Sequence, residues 1–406
     1  MGYGAPKIPG GMEGKGADRP QVLITRHLLL IIAFPHALLT WLSRPAIRWS
    51  ILGAHLLFLL GIYLHQGILT DKEAVKYLGC ARQVLHGDFI DLTGNYLKYG
   101  AYVLLLLPFV AIGLPSLAVA AQVALGILAA FALSRIVERL TGNKGSGYLS
   151  MAILLLCYPV QIWTLALYTE SFFTSVSILF IERITRDERP GPWSMVLAVL
   201  TLFARPVGLL FVGPAFIWKL TQGSPDRVRR SLRWAGYCSV FALAVFLPGI
   251  KPAQLAPIAE AHVIAGIPGH AGAMEGFAGS SIAEAQVFLF QRHGVIRWLG
   301  LAARRMCSLF TLHRPYYSTG HNWIVGTYYL LYPLALGGLL RWRKRRVVGL
   351  IAALLLFYTL LIGLTHDEWS GRFLVPLLPW VIASAVLGLA RSDVAPRADH
   401  AEGHAS

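Results

Sequence analysis

The chain has 406 residues, 56% of them hydrophobic and 14% charged, and a mean hydropathy of +0.58, more apolar surface than a soluble core of this size can bury. A soluble protein is therefore excluded. The net charge of +16 reads as membrane topology rather than nucleic-acid binding, because its Lys and Arg residues lie in short loops between apolar runs.

In chain order, the Gly- and Pro-rich residues 1–21 lack the order of a cleaved signal peptide and are expected to form a disordered cytoplasmic tail. Residues 22–48 contain Arg26, His27, Pro35 and His36, a mixture that suits an interfacial helix better than a span. From 49 to 391 the pattern predicts an all-α, polytopic bundle of about ten spans. Its clearest apolar runs are 49–69, 116–134, 347–364 and 373–390. Residues 100–114 are apolar but short and are expected to be re-entrant or juxtamembrane. Residues 392–406 read as a second cytoplasmic tail. Four cysteines, Cys80, Cys157, Cys238 and Cys307, show no CxxC or CxxH spacing, so free thiols are expected.

Basic clusters mark the cytoplasmic side. They are Arg44 with Arg48; Arg135, Arg139 and Lys144; Arg183, Arg186 and Arg189; Lys219 with Arg227, Arg229, Arg230 and Arg233; and Arg341 to Arg346. This assignment puts both termini inside. It leaves the loops 70–115 and 251–322, and the turns near 165, near Arg205 and at 365–372, on the outer face.

The unusual residues all fall on that face. Asp71 and Glu73 follow the first span directly and are joined by Lys76 and Tyr99. Helical spacing from Asp71 to Arg82 predicts an amphipathic surface helix with Val75, Leu78 and Val84 turned toward lipid or core. Asp71 either caps this helix or does chemistry. Glu170 opens a later span, where it either joins Thr169 in an N-cap or marks a functional site at membrane depth. Arg205, before Pro206, either snorkels to the interface or clamps a lipid phosphate. The turn His366, Asp367, Glu368, Trp369, Ser370, Gly371, Arg372 is either a plain hydrophilic loop or part of a site. Five histidines in 251–322 lack the close helical pair of a zinc site. An amphipathic run from Val295 to Leu312, with Arg304 beside Arg305, reads as interfacial.

Four stretches carry a family resemblance: TDKEAVKYLGCARQVLHGDF after the first span, ALYTESFF, LFARPVGLLF, and GRFLVPLLP at the last span. Their order along the chain resembles the GT-C superfamily of polyprenyl-phosphate-sugar-dependent glycosyltransferases, in particular the bacterial branch of protein O-mannosyltransferases and the lipid A aminoarabinose transferase. The resemblance implies a first-loop carboxylate, Asp71 or Glu73, as the base that deprotonates an acceptor hydroxyl. It also implies that Arg205 and Arg372 hold the donor phosphate, with Lys76 and Tyr99 as helpers. Many relatives have adjacent Asp and Glu, whereas Lys72 intervenes here, so the choice between Asp71 and Glu73 stays open.

The expected activity is inverting transfer from a polyprenyl-phosphate-linked sugar to a lipid, glycan or protein acceptor, on the outer face of a bacterial inner membrane. Glu170, His366 and Asp367 would line the substrate site. No cofactor is required; clustered carboxylates would tolerate a divalent metal without demanding one. The expected partners include membrane lipids but no nucleic acid. A transporter or flippase of a lipid-linked sugar is the main rival, and a non-catalytic scaffold is the other.

Overall fold

The computed structural model describes residues 37–187, 191–222, 252–267, 277 and 279–390. The expected tails, most of the interfacial helix, Arg189, the basic residues 227–233, His270 and Cys238 lie outside them.

The described chain is almost wholly helical. Helix α1 (Pro45–Gln66) starts with proline in its first turn and stops at Gly67, whose φ of 69° only glycine adopts readily. Residues 45–48 therefore belong to this helix, not to the interfacial segment expected over 22–48, of which only a short helical stretch before it is described. At 22 residues and about 1.5 Å per residue, α1 is as long as a hydrocarbon core is thick. Next come α2 (Glu73–Leu85), α3 (Gly100–Ala111), α4 (Ala118–Thr141) and α5 (Lys144–Leu155). The short α6 (Tyr158–Gln161) leads to α7 (Thr169–Arg186), which precedes α8 (Pro192–Ala204) and α9 (Leu209–Leu220).

After α10 (Pro252–Ala259) comes α11 (Ile282–Phe310), which is broken at Gly294. The chain closes with α12 (Thr319–Gly326), α13 (Leu331–Arg341), α14 (Arg346–Leu364) and α15 (Leu378–Leu389). Two short parallel strands, β1 (Ile264–Ala265) and β2 (Asp367–Glu368), pair across this sequence.

Four segments are long and apolar enough to cross a membrane: Pro45–Gln66, Pro115–Thr141, Thr319–Arg341 and Arg346–Leu364. Four shorter apolar helices, Leu97–Ala111, Pro192–Ala204, Pro206–Leu220 and Leu378–Leu389, accompany them. This is the make-up of a membrane protein built as an all-α bundle, with fewer full-length spans among the described residues than the ten expected. The run 373–390 shows why. Its apolar sequence continues, but Arg372–Leu374 forms a tight turn and the regular helix begins only at Leu378, where Pro379 occupies the first turn.

Helix α7 is the axis of the bundle, buried along nearly its whole length and packed by α4, α8 and α9. Elsewhere small residues allow backbones to touch. A Cβ on Gly338 would stand 1.9 Å from the Ser384 carbonyl oxygen, and one on Gly388 would stand 2.3 Å from that of Leu334, so α13 and α15 meet through a glycine-lined crossing.

The two ends of α7 differ in charge. At one end the buried Glu182 faces Arg135 (3.2 Å), Arg139 (3.6 Å) and Arg186 (3.8 Å), and the nearby Trp218 indole donates to the Arg346 carbonyl. Basic segments from distant parts of the sequence thus share this end. Glu170, twelve residues earlier and so about 18 Å away along the helix, opens the other end.

Candidate functional site

The Glu170 end is assembled by backbone pairing. Leu69 N donates to Leu165 O and Leu167 N donates to Leu69 O, both at 3.0 Å, which lays the start of the first loop against the turn before α7. Asp71 then comes into electrostatic contact with Tyr168, and the Tyr168 hydroxyl meets the backbone of Glu73.

Glu170 is 1% exposed and accepts a 2.9 Å hydrogen bond from Arg205 Nη1. Arg372 Nε is ion-paired with Glu170 at 3.7 Å and with Glu368 at 3.5 Å, but this buried atom makes no hydrogen bond to either. Two guanidiniums and two carboxylates, from α7, the turn after α8 and the turn before α15, therefore share one centre. Phe373 lies beneath both arginines, 5.9 Å from the Arg205 guanidinium and 6.0 Å from that of Arg372.

This geometry decides several alternatives. Glu170 is not a cap: Tyr168 occupies the cap position and no side chain caps α7. Arg205 does not snorkel, being 8% exposed and committed to Glu170. Asp71 does not cap α2, whose cap residue is Lys72, held at a φ of 48° that is unusual for a side-chain-bearing residue. Lys72 lies over the Trp369 ring at 5.2 Å, tying the first loop to the last turn. On α2, Leu78 is buried as expected and Val84 half-buried, Val75 lies on the outer surface, and Ala74, Tyr77 and Ala81 complete the buried face.

Glu73 is held by Lys76 at 3.0 Å and lies within electrostatic range of Arg372 and Tyr99. Tyr99 packs on Tyr77 with ring centroids 5.4 Å apart. Among the described residues Asp71 is exposed and makes no ion pair.

The turn at 366–372 divides its residues between two faces. Successive residues of a strand point in opposite directions, and in β2 this sends Glu368 toward Arg372 and Asp367 away from it. Asp367 is 1% exposed, ion-paired with Arg314 and hydrogen-bonded by Ser308 Oγ at 2.8 Å. It is not part of the Glu170 centre. Glu368 is bonded by both the amide and the hydroxyl of Ser370; burial pushes its carboxyl above the ordinary value, against the opposing pull of Arg372. His366 packs on Phe373 at 6.0 Å, and burial pushes its imidazole below the ordinary value.

Behind the turn, Ser370 and Gly371 border a small cavity of about 50 Å³ whose other walls include Tyr158, Trp163, Arg314, Tyr317 and His321. Arg314 Nε is buried there without a hydrogen-bond partner.

Residues outside the expected set are Glu368, Tyr77, Arg314 and Tyr358. Tyr358 is 1% exposed and lies in the field of Arg205 and Glu170. Glu368 was visible in the same turn, but its parity was not. Tyr358 sits in the middle of an apolar span with nothing in the sequence to distinguish it. Among the described residues no group of His, Cys, Asp and Glu side chains is arranged to hold a metal ion.

Comparison with family models, with curated proteins and with solved structures gives no match for this chain.

Proposed function

We propose that the protein is a membrane glycosyltransferase that moves a sugar from a polyprenyl-phosphate donor to an acceptor hydroxyl at the Glu170 end of the bundle. The observation that carries this reading is the buried Arg372 Nε, set beside Arg205 and lacking a hydrogen-bond partner. A guanidinium so placed suits a phosphate that brings its own oxygen acceptors.

In this reading Glu170 holds both arginines in position, and the donor phosphate binds between Arg205 and Arg372. The acceptor hydroxyl loses its proton to Asp71 and attacks the anomeric carbon in line, so the configuration inverts as the polyprenyl phosphate leaves. The arginines stabilise the charge gathering on the departing phosphate. Asp71 is preferred to Glu73 because Lys76 engages Glu73, while Asp71 is exposed and its carboxylate is open to solvent and acceptor. On the charge pattern, the site faces the outer leaflet of a bacterial inner membrane and the Glu182 end faces the cytoplasm.

A flippase for the same lipid-linked sugar is the competing reading. The polar groups gather at one end of α7 rather than midway along it, which favours transfer, since transport sites characteristically lie near the bilayer midplane. Proteoliposomes loaded with a radiolabelled polyprenyl-phosphate sugar separate the two. Label released from the lipid onto an acceptor supports transfer; label that crosses the bilayer still attached to its lipid supports transport.

A further inference from the structure

Helix α11 is two arms joined at Gly294, whose φ of 73° and ψ of 166° break the helix. The first arm is started by Ser281, whose Oγ accepts from the Glu284 amide at 3.2 Å. The arms are fixed to each other across the break: Trp298 Nε1 donates to Gln286 Oε1 at 2.8 Å, and Phe290 meets the Trp298 ring edge-on at 6.3 Å. Their inner faces, Ala285, Leu289 and Leu301, pack on Leu255 and Ile258 as a small core separate from that of the bundle.

The outer face is different. Val287, Phe290, Val295, Ile296 and Leu299 are all exposed, Ile296 by 82%. Arg292, Arg297 and Arg304 are exposed among them, and no Asp or Glu occurs from 285 to 312. Arg305, expected beside Arg304 at the interface, instead turns inward and donates to the carbonyls of Ile258 and His262, so only its neighbour remains on the surface.

The elbow is attached at the end of a candidate membrane span. The Gln286 amide donates to the carbonyl of Leu364, the last residue of α14, and a Cβ on Gly363 would stand 3.0 Å from Met306 Cγ. The apolar surface thus begins beside the last residue of α14, a candidate membrane span.

We infer that the elbow at Gly294 is an interfacial anchor: its apex, from Phe290 to Leu299, enters the leaflet at the Leu364 end of α14, and Arg292 and Arg297 bind anionic phospholipid headgroups. An apolar ridge bordered by arginines and free of carboxylates has the composition of a membrane-surface element, and the absence of acidic residues removes the repulsion that anionic lipids would otherwise meet. The inference is independent of the transfer reaction.

The test uses the full chain in a Cys238→Ser, Cys307→Ser background, with Ile296→Cys labelled by bimane and placed in nanodiscs of phosphatidylglycerol and phosphatidylcholine. Cys80 and Cys157 are buried and escape the label. The expected result is a blue-shifted bimane quenched by shallow doxyl-labelled lipid, with quenching at least halved by Arg292→Gln and Arg297→Gln together or by omitting phosphatidylglycerol. Quenching by aqueous iodide alone would overturn the anchor, and protection from both quenchers would assign the face to a second protein copy instead. If Ile296→Cys does not yield folded protein, Leu299→Cys gives the same readout.

Discussion

Glu170 Oε1 and Arg205 Nη1 lie 2.9 Å apart across a sequence separation of 35, both nearly inaccessible to solvent. Taking one member away strands the other in a medium where an unpaired charge is costly. Glu170→Gln leaves two guanidiniums facing each other, and Arg205→Met leaves Glu170 with only the 3.7 Å contact to Arg372. Each single variant should lose about 3–5 kcal/mol of stability, read as a lower unfolding temperature in detergent. The double variant should lose less than the sum of the two, because neither charge remains.

Asp367 and Glu368 are neighbours in sequence but should behave differently. Asp367→Asn leaves Arg314 buried without its carboxylate, so a loss of about 3–5 kcal/mol is expected, with transfer per folded molecule preserved. Glu368→Gln should leave the unfolding temperature nearly unchanged and act on donor binding instead. Thermal unfolding and donor KM, measured side by side on both variants, check the split.

Glu368 also sets a pH dependence. In the proposed reaction its charged form would compete with the donor phosphate for Arg372, and burial raises its pKa. As pH falls through this raised value the carboxyl gains a proton and releases Arg372, so donor KM should fall. Glu368→Gln should abolish that limb. His366 supplies a stability term of opposite sign. Its imidazole is held below the ordinary value, so the folded state favours the neutral ring. The resulting stability is complete above the unfolded pKa of about 6.5 and is lost as pH falls through the lower folded value. His366→Gln should flatten the acid side of the unfolding-temperature profile.

The glycine crossing of α13 and α15 can be tested without touching the site. Gly338→Val places a side chain where even a Cβ would overlap the Ser384 carbonyl. The helices must then separate, with a destabilisation of roughly 1–3 kcal/mol or more. Gly337→Val, one residue away, where nothing lies within 4 Å of an added Cβ, should be tolerated. Unfolding temperatures of the two variants make the comparison.

Much of the architecture was legible in the sequence because lipid imposes a length on apolar runs and an asymmetry on Lys and Arg. Residues 49–69 and 347–364 forecast α1 and α14 to within a few positions. Residues 100–114 read as short, and the apolar helix there ends at Ala111, but composition could not show where tight turns shorten a run, as at Arg372–Leu374. The polar stretches around Asp71, Glu170, Arg205 and Arg372 stood out, and the structure places them at one end of α7. Which member of an adjacent pair faces inward was not legible. Asp367 and Glu368 differ only in strand parity, and Arg304 and Arg305 only in helical phase, each fixed by long-range packing. The ion pair between Lys76 and Glu73, which leaves Asp71 the more open of the two carboxylates, was likewise not legible.

Donor-dependent transfer by Arg372→Gln, compared with the wild-type protein in the same liposomes, tests the central claim most directly. The fold should persist, because Glu170 keeps Arg205. Transfer of radiolabelled sugar from the polyprenyl phosphate should fall about 10²–10³-fold, the scale associated with losing one donor to developing charge. Transfer at the wild-type rate by folded Arg372→Gln protein would contradict the account.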